Sequence, residues 1–449
     1  MSKVIRIANG QGFWGDSVDA PVDLINNGPI DYLTLDYLAE VTLSIMQRQK
    51  LKQADAGYAR DFVDLIDRVL PDLVSKNIKV ISNAGGVNPE ACRDALLEVA
   101  KAKGIDIKIG IIKGDNIYEK IDEFVQRGVD FKNLETGADF TDIKNRVYSA
   151  NVYIDSFCIA RALDQGAQIV LAGRVSDPGL ALGPAIHEFG WNPQEIDLIA
   201  AGTLAGHIVE CGAQCTGGNY SRWYEVENLA SVGYPIIEMQ ESGEFVITKH
   251  DGSGGLINRQ TVSEQILYEM GDPSCYISPD VCVDFTSFDL VDLGNDRVQL
   301  SNVKGIESTA TYKVSISYFA GYKASGQLTI SGPNAVRKAE LVADLIWERL
   351  ESAGCSYKDK LTEFLGISSC HGDINTPPEQ VNEIVLRLSV KDDDKEKVNR
   401  FGKEIAPVIT NGPPGVTGFA GGRPKAQEIV AYWPTLIPKK LITTDVDVN

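Results

Sequence analysis

The sequence predicts an α/β protein: an N-terminal doubly wound, mostly parallel sheet followed by an α+β domain with antiparallel strands. Three observations predict it. Short apolar runs alternate with amphipathic stretches over the first half of the chain, as strand–helix–strand units require. Turns rich in Gly, Asn and Asp follow those runs, where the strands of a parallel sheet end. After about Tyr234 the strands become longer and alternate apolar with polar residues, and the helices become fewer.

The elements follow in order. Strands are expected at Val4–Ala8, Tyr32–Leu38, Lys79–Ser82, Ile107–Ile112 and Ile169–Leu171. Helices are expected between them at 58–76, 89–103, 117–127 and 152–165; in the first, Phe62, Leu65, Ile66, Val69 and Leu73 fall on one face at helical spacing. The second half predicts strands at 312–318, 327–330, 383–390 and 428–432, with helices at 335–350 and 396–405. At 449 residues the chain exceeds one ordinary core, and the change of texture places a boundary between residues 1–228 and 229–449.

Composition narrows the function classes. Hydrophobic residues at 43% and charged residues at 23% are normal for a globular protein. No apolar run reaches the length of a membrane span and no leader pattern opens the chain, so a cytoplasmic protein is expected. A net charge of −19 repels nucleic acid and anionic membranes, leaving room for a small anion held by a few local arginines. The eight cysteines contain no C-x-x-C pair or zinc-finger spacing, which argues for reduced thiols and no metal.

The most informative stretch is Gln168–Trp191. A buried strand ends at Gly173-Arg174, and Asp177-Pro178 reads as an N-cap with proline at the first helical position. An arginine beside free helix N–H groups outlines an anion site. Three other strand ends bear similar loops. Gly10–Asp16 formally matches the glycine fingerprint of dinucleotide-binding folds, but Trp14 is bulky where a pyrophosphate would approach, so NAD(P) or flavin is not expected. A turn presenting Asp16 to a cleft is the preferred reading. The loop 83–90 offers Asn83, Gly85 and Gly86, with Asn88 as N-cap before Pro89; the loop 113–116 offers Asp115. Each loop alone reads as an ordinary strand-to-helix turn. Together they predict a cleft at the carboxyl edge of the sheet, with Arg174 its anion contact.

A helix over residues 205–218 would align His207, Cys211 and Cys215 as one stripe, with Glu210 beside it. His207 or Glu210 is a candidate acid/base, Cys211 a candidate nucleophile, and close packing of small residues the bland alternative. His187 and Glu188, deep in a helix, read as structural. In the second half, Lys249 and His250 lie in the glycine-rich turn 248–256, suited to substrate contact or to a solvated hairpin. The glycine-rich segment 412–424 ends in Arg423, a possible carboxylate or phosphate clamp on a flap or subunit contact.

These motifs resemble the acyclic terpene utilisation (AtuA) family. The matching segments are GFWGD (12–16), DYLAE (36–40), SNAGGVNP (82–89), AGRVSDPGLALGPAIHEFGW (172–191), GHIVECGAQCTGG (206–218) and TKHDGSGGLINRQTVSEQILYEM (248–270). The resemblance implies a role in bacterial breakdown of branched acyclic isoprenoid acids. The neighbouring steps there are CoA ligation, acyl-CoA dehydrogenation, biotin-dependent carboxylation and hydration. It also implies a chain without the C-terminal ferredoxin-like domain of longer members, and it assigns no catalytic residues.

The leading expectation is an enzyme acting on a branched carboxylate or its acyl-CoA thioester by proton transfer: hydration, dehydration or C–C cleavage. Asp16, Asp177, His207 and Glu210 would move protons. Asn83, Gly85, Gly86, Asn88, Asp115, Arg174, Lys249, His250 and Arg423 would hold substrate. No cofactor or metal is required by the sequence, and a homo-oligomer is expected. The alternatives are an accessory subunit of an acyl-CoA carboxylase-type pathway and a dinucleotide-dependent oxidoreductase.

Overall fold

The structure, a computed structural model, describes residues 3–38, 40–374, 381–418 and 421–449. The chain forms two units: one runs to Ser317 and resumes over Tyr432–Asn449, the other comprises Tyr318–Ala431.

The larger unit contains the expected mostly parallel sheet. Strands β1 (Val4–Gln11), β2 (Tyr32–Leu35), β3 (Lys79–Ser82), β4 (Ile109–Lys113) and the later β6 (Ile169–Leu171) are parallel in the spatial order β1-β2-β3-β6-β4. Helices α1 (Ala20–Asn27), α3 (Arg60–Ser75) and α4 (Pro89–Lys103) share one core with Leu33, Leu35, Val80, Ile109 and Leu171 of the strands. The stripe Phe62, Leu65, Ile66, Val69 and Leu73 is buried there as its spacing requires. Helix α4 stops at Gly104, whose left-handed backbone closes the last turn. Helix α2 (Glu40–Lys52), which was not foreseen, follows β2.

Helix α5 (Ile121–Gln126) and strand β5 (Val147–Val152) precede α6 (Phe157–Asp164). Val152 therefore ends a strand rather than opening the helix expected at 152–165. Helices α6, α7 (Gly179–Phe189) and α8 (Ile196–Val209) pack successively, and α6 and α7 also meet the sheet strands, completing the doubly wound arrangement.

Strands β7 (Ile236–Gln240) and β8 (Phe245–Thr248) continue this same sheet: β7 runs antiparallel to β1, pairing Ile5 with Met239. The change of texture near residue 229 thus marks a switch from parallel to antiparallel pairing within one sheet. It is not the boundary between the two units. Helix α9 (Arg259–Leu267) begins with a capping box between Asn258 and Thr261. Strands β9 (Tyr276–Ile277), β10 (Val281–Asp284) and the later β13 (Lys304–Glu307) make a small antiparallel sheet, while β11 (Asp289–Asp292) and β12 (Val298–Ser301) extend the large one beyond β8.

The two strands expected at 312–318 and 327–330 are one 21-residue strand, β14 (Thr311–Ser331), carried past Gly321 at φ +99°. In the smaller unit β14 pairs with β16 (Glu383–Asp392), which pairs with β15 (Asp359–Leu365). Helices α10 (Ala335–Ser352) and α11 (Lys395–Ile405) cover this sheet around Leu328, Val342, Ile346, Leu386 and Phe401, and α12 (Val408–Asn411) follows. Strand β17 (Gln427–Pro438) carries the chain out of the unit, and β18 (Asp445–Val448) adds antiparallel to β4.

Candidate functional site

The carboxyl ends of the parallel strands converge on one buried charged group, Arg174. Its backbone N–H donates to Asp115 Oδ2 at 2.7 Å, and Asn151 Nδ2 donates to the same oxygen at 2.9 Å. Asp115 is buried, and burial pushes its carboxyl above the usual range against those hydrogen bonds. A Cβ at Gly173 would lie 2.3 Å from that oxygen, so glycine is required there. Asp115, an expected substrate contact, fixes the strand-end loop through these bonds, and with Gly86 and Asn116 it also lines a separate cavity of 610 Å³.

The guanidinium itself is 3% exposed and sits 4.0 Å from the centre of the Tyr153 ring. Asp177 grips both terminal nitrogens, one at 3.2 Å and the other more closely, and Leu38 O accepts at 3.4 Å. This corrects two expectations. Helix α7 is preceded by Pro178 at its N-cap, with no side-chain cap, because Asp177 turns to the arginine; a charge-assisted bidentate pair outweighs one capping bond. Arg174 is also not a free anion contact, since its charge is met by Asp177 and by Asp36 nearby.

Asp36, at the end of β2, was not among the expected proton-transfer or substrate-holding residues. It accepts from Asn83 Nδ2 at 2.7 Å and from Leu38 N at 2.9 Å. Asn83 Oδ1 in turn accepts from Tyr37 N, so Asn83 orients the acid rather than touching a ligand. Burial, then the charge of Asp177, push the Asp36 carboxyl up to about 7, against the pull of Arg174. One guanidinium stands against two carboxylates, which favours the protonated form of the second.

His207 and Glu210 form the other half. Helix α8 ends at Val209, and the chain tightens into a 3-10 turn over Gly212–Thr216, so the expected His207–Cys211–Cys215 stripe is broken. His207 Nε2 donates to Ile266 O at 3.3 Å, its ring packs against Tyr276 and Phe285, and Nδ1 faces Glu210 Oε1 at 3.5 Å. Burial, with the charges of Asp177 and Glu269, raises the Glu210 carboxyl although His207 lowers it. For His207, burial opposes the charged form, but hydrogen bonding and the charge of Glu210 raise its pKa above the ordinary value. Glu210 Oε2 is buried without a hydrogen-bond partner. Burial, with Glu210 beside it, pushes the Cys211 thiol up to about 12, the opposite of an activated nucleophile.

These groups line two cavities. One, of 530 Å³, is walled by Trp14, Asp36, Arg174, Asp177, Glu210 and Glu269; the other, of 320 Å³, shares Asp177, Glu210 and Glu269 and adds Tyr153, Tyr276, Tyr312 and Lys313. Lys313 lies 4.7 Å from the Tyr153 ring centre and has no carboxylate partner among the described residues. Nothing in its local sequence, a β-strand start, signals this place.

The remaining candidates lie elsewhere. Asp16 accepts from Gly12 N, Ser17 N and Tyr234 Oη, so its oxygens are spent on holding the β1 loop. Gly12 rests against the Cys211–Gly212 backbone, where a Cβ would come within 2.7 Å of Cys211 C. Gly85 and Gly86 pack tightly, Gly86 at φ +55° with Met46 close by. Asn88 caps no helix N–H; its amide donates to Ala54 O and Ala56 O. Lys249 pairs with Asp296 at 2.9 Å and its side chain is 6% exposed; burial lowers the His250 pKa; neither lines the two cavities. Arg423 is exposed in the smaller unit, where Thr417 N bonds Thr329 O and Pro424 lies on Gly402, tying the segment down; Phe419 and Ala420 lie outside the described residues. His187 bonds Asp164, and Glu188 bonds Lys3 and Tyr32, as a structural reading requires. No group of three or more His, Cys, Asp or Glu side chains suited to a metal occurs among the described residues. No helix there is long and apolar enough to cross a membrane.

The fold and the site define an α/β protein with an acid-rich cleft at the carboxyl edge of its parallel strands. The model of the acyclic terpene utilisation family protein AtuA matches residues 5–448, so the chain belongs to that family. No curated protein matches it. Among solved structures, homoserine dehydrogenase from S. aureus is 8% identical, with 93% of this chain and 84% of that chain covered; its TM-score of 0.13 carries no argument.

Proposed function

We propose that this protein is a proton-transfer enzyme of acyclic isoprenoid breakdown, acting on a branched acyl thioester by hydration, dehydration or C–C cleavage. One observation carries the reading: Asp36 and Glu210, both buried and both raised above the ordinary carboxyl range, flank Asp177 on the wall of one cavity. Burial that raises a carboxyl favours its neutral form and shifts it towards the range where general acid–base chemistry works. Family membership supplies the metabolic setting.

The same charges favour a thioester over a free carboxylate at the reacting carbon. Asp36, Asp177, Glu210 and Glu269 would repel a carboxylate, and Arg174 is already paired. A thioester is neutral and acidifies its α-carbon. The acyl group would lie among Tyr153, Tyr276 and Tyr312, with Glu210 taking or giving the α-proton and the protonated Asp36 serving the opposite transfer. His207, with Nδ1 3.5 Å from Glu210 Oε1, would stabilise the ionised Glu210 by its charge.

The test is incubation with dimethylacryloyl-CoA and with its hydrated, β-hydroxy counterpart, followed by NMR. Interconversion that is lost in Glu210→Gln and Asp36→Asn supports the reading. Turnover that survives both changes would overturn it.

A further inference from the structure

A third cavity, of 270 Å³, adjoins the cleft. Gln214 and Tyr268 belong to its wall and to that of the 530 Å³ cavity. The three spaces therefore form a row: tyrosine-lined cavity, carboxylates, then this pocket. Its wall combines apolar surface with mostly uncharged polar side chains. Glu264 is the charged side chain on it, and both its oxygens accept from Ser221.

Gln265 lines this pocket and is 1% exposed, yet neither its Oε1 nor its Nε2 has a hydrogen-bond partner. The neighbouring Cys211 thiol is at best a weak partner for it. A buried primary amide with both ends unmet is costly unless a ligand meets it. The complement of an unmet donor and acceptor side by side is another amide. A phosphate or carboxylate offers no donor and would leave Oε1 unmet.

We infer that this pocket binds an amide of a pantetheine-type arm, so that the row of cavities accommodates an acyl thioester from acyl chain to carrier. Gln265 Nε2 donates to the arm's carbonyl and Oε1 accepts its N–H. The assignment of a thioester rests on the function proposed above; the unmet amide does not.

The test is calorimetry with three probes: isovaleryl-N-acetylcysteamine, which has a thioester and one amide; the isovaleryl ethyl thioester, which lacks the amide; and free isovalerate. The wild type should prefer the amide-bearing probe over the ethyl thioester by about tenfold, the worth of a well-made hydrogen-bond pair. Gln265→Met should abolish that preference and leave the ethyl thioester's affinity unchanged; Gln265→Leu should do the same. Equal binding of the two thioesters by the wild type, a preference that survives in both variants, or tightest binding of free isovalerate overturns the inference. Failure of every probe to bind overturns it as well. Exchange of the α-protons separates the two ideas: exchange without amide preference sinks the arm site alone, and amide preference without exchange sinks the acid–base reading alone.

Discussion

Replacing Asp36 with asparagine isolates the charge at the centre of the cleft. The variant keeps an oxygen to accept from Leu38 N and Asn83 Nδ2 and leaves Arg174 balanced by Asp177 alone. A carboxyl moved by folding from its ordinary 3.8 to about 7 costs its ionised form roughly 4 kcal/mol, an upper bound that relaxation reduces. The direction follows from proton counting. Below about pH 4 both states are protonated and the group contributes no difference; as pH rises towards 7 the unfolded chain ionises while the folded one keeps its proton, so stability is lost. Asp36→Asn should therefore match the wild type near pH 4 and gain on it progressively up to about pH 8, by a few kcal/mol. Urea midpoints of both proteins measured across that range give the difference directly. A difference that stays flat with pH would refute the shared-charge account of Asp36, Asp177 and Arg174.

Further outcomes follow from other contacts. Gly173→Ala places a Cβ 2.3 Å from the Asp115 carboxylate and should lower stability by about 2 kcal/mol or more. Gly271→Ala, with open space around it, is the control, and thermal midpoints decide. Cys211, pushed up to about 12, should resist iodoacetamide in the native protein, and mass spectrometry after labelling reads this; rapid native labelling would revive the nucleophile. Gln265→Met removes two unmet buried polar atoms and should hold or raise the ligand-free stability, by up to about 1 kcal/mol, read from thermal midpoints; a clear loss would mean the amide has a structural partner.

Much of the architecture was legible because periodicity reports burial. The α3 stripe and the apolar strand runs identified the parallel sheet, and the turn residues after them located its carboxyl edge. The second half was harder. Strands β7 and β8 look like a new domain in sequence, but their alternation reflects antiparallel pairing on the same sheet. The cleft was legible as a place rather than as a set of roles. Asn83, Asp115, Arg174 and Asp177 do meet at the strand ends, but they spend their polar groups largely on one another. A motif reveals a polar residue in a turn, not whether its partner is a ligand or Asn151. Asp36 ends its strand as Asp115 does, and the signal was the repeated strand-end acid. Glu269 and Gln265, brought in by helix α9 and the turn after it, have no local signature and required the tertiary structure.

Exchange of the α-protons of isovaleryl-CoA in D₂O, followed by NMR, tests the central claim most directly. Wild type should wash deuterium into that position, and Glu210→Gln should slow it by on the order of 10²–10⁴ while remaining folded. Exchange at the wild-type rate in Glu210→Gln, or none in the wild type, would contradict the assignment of Glu210 as the group that moves the proton.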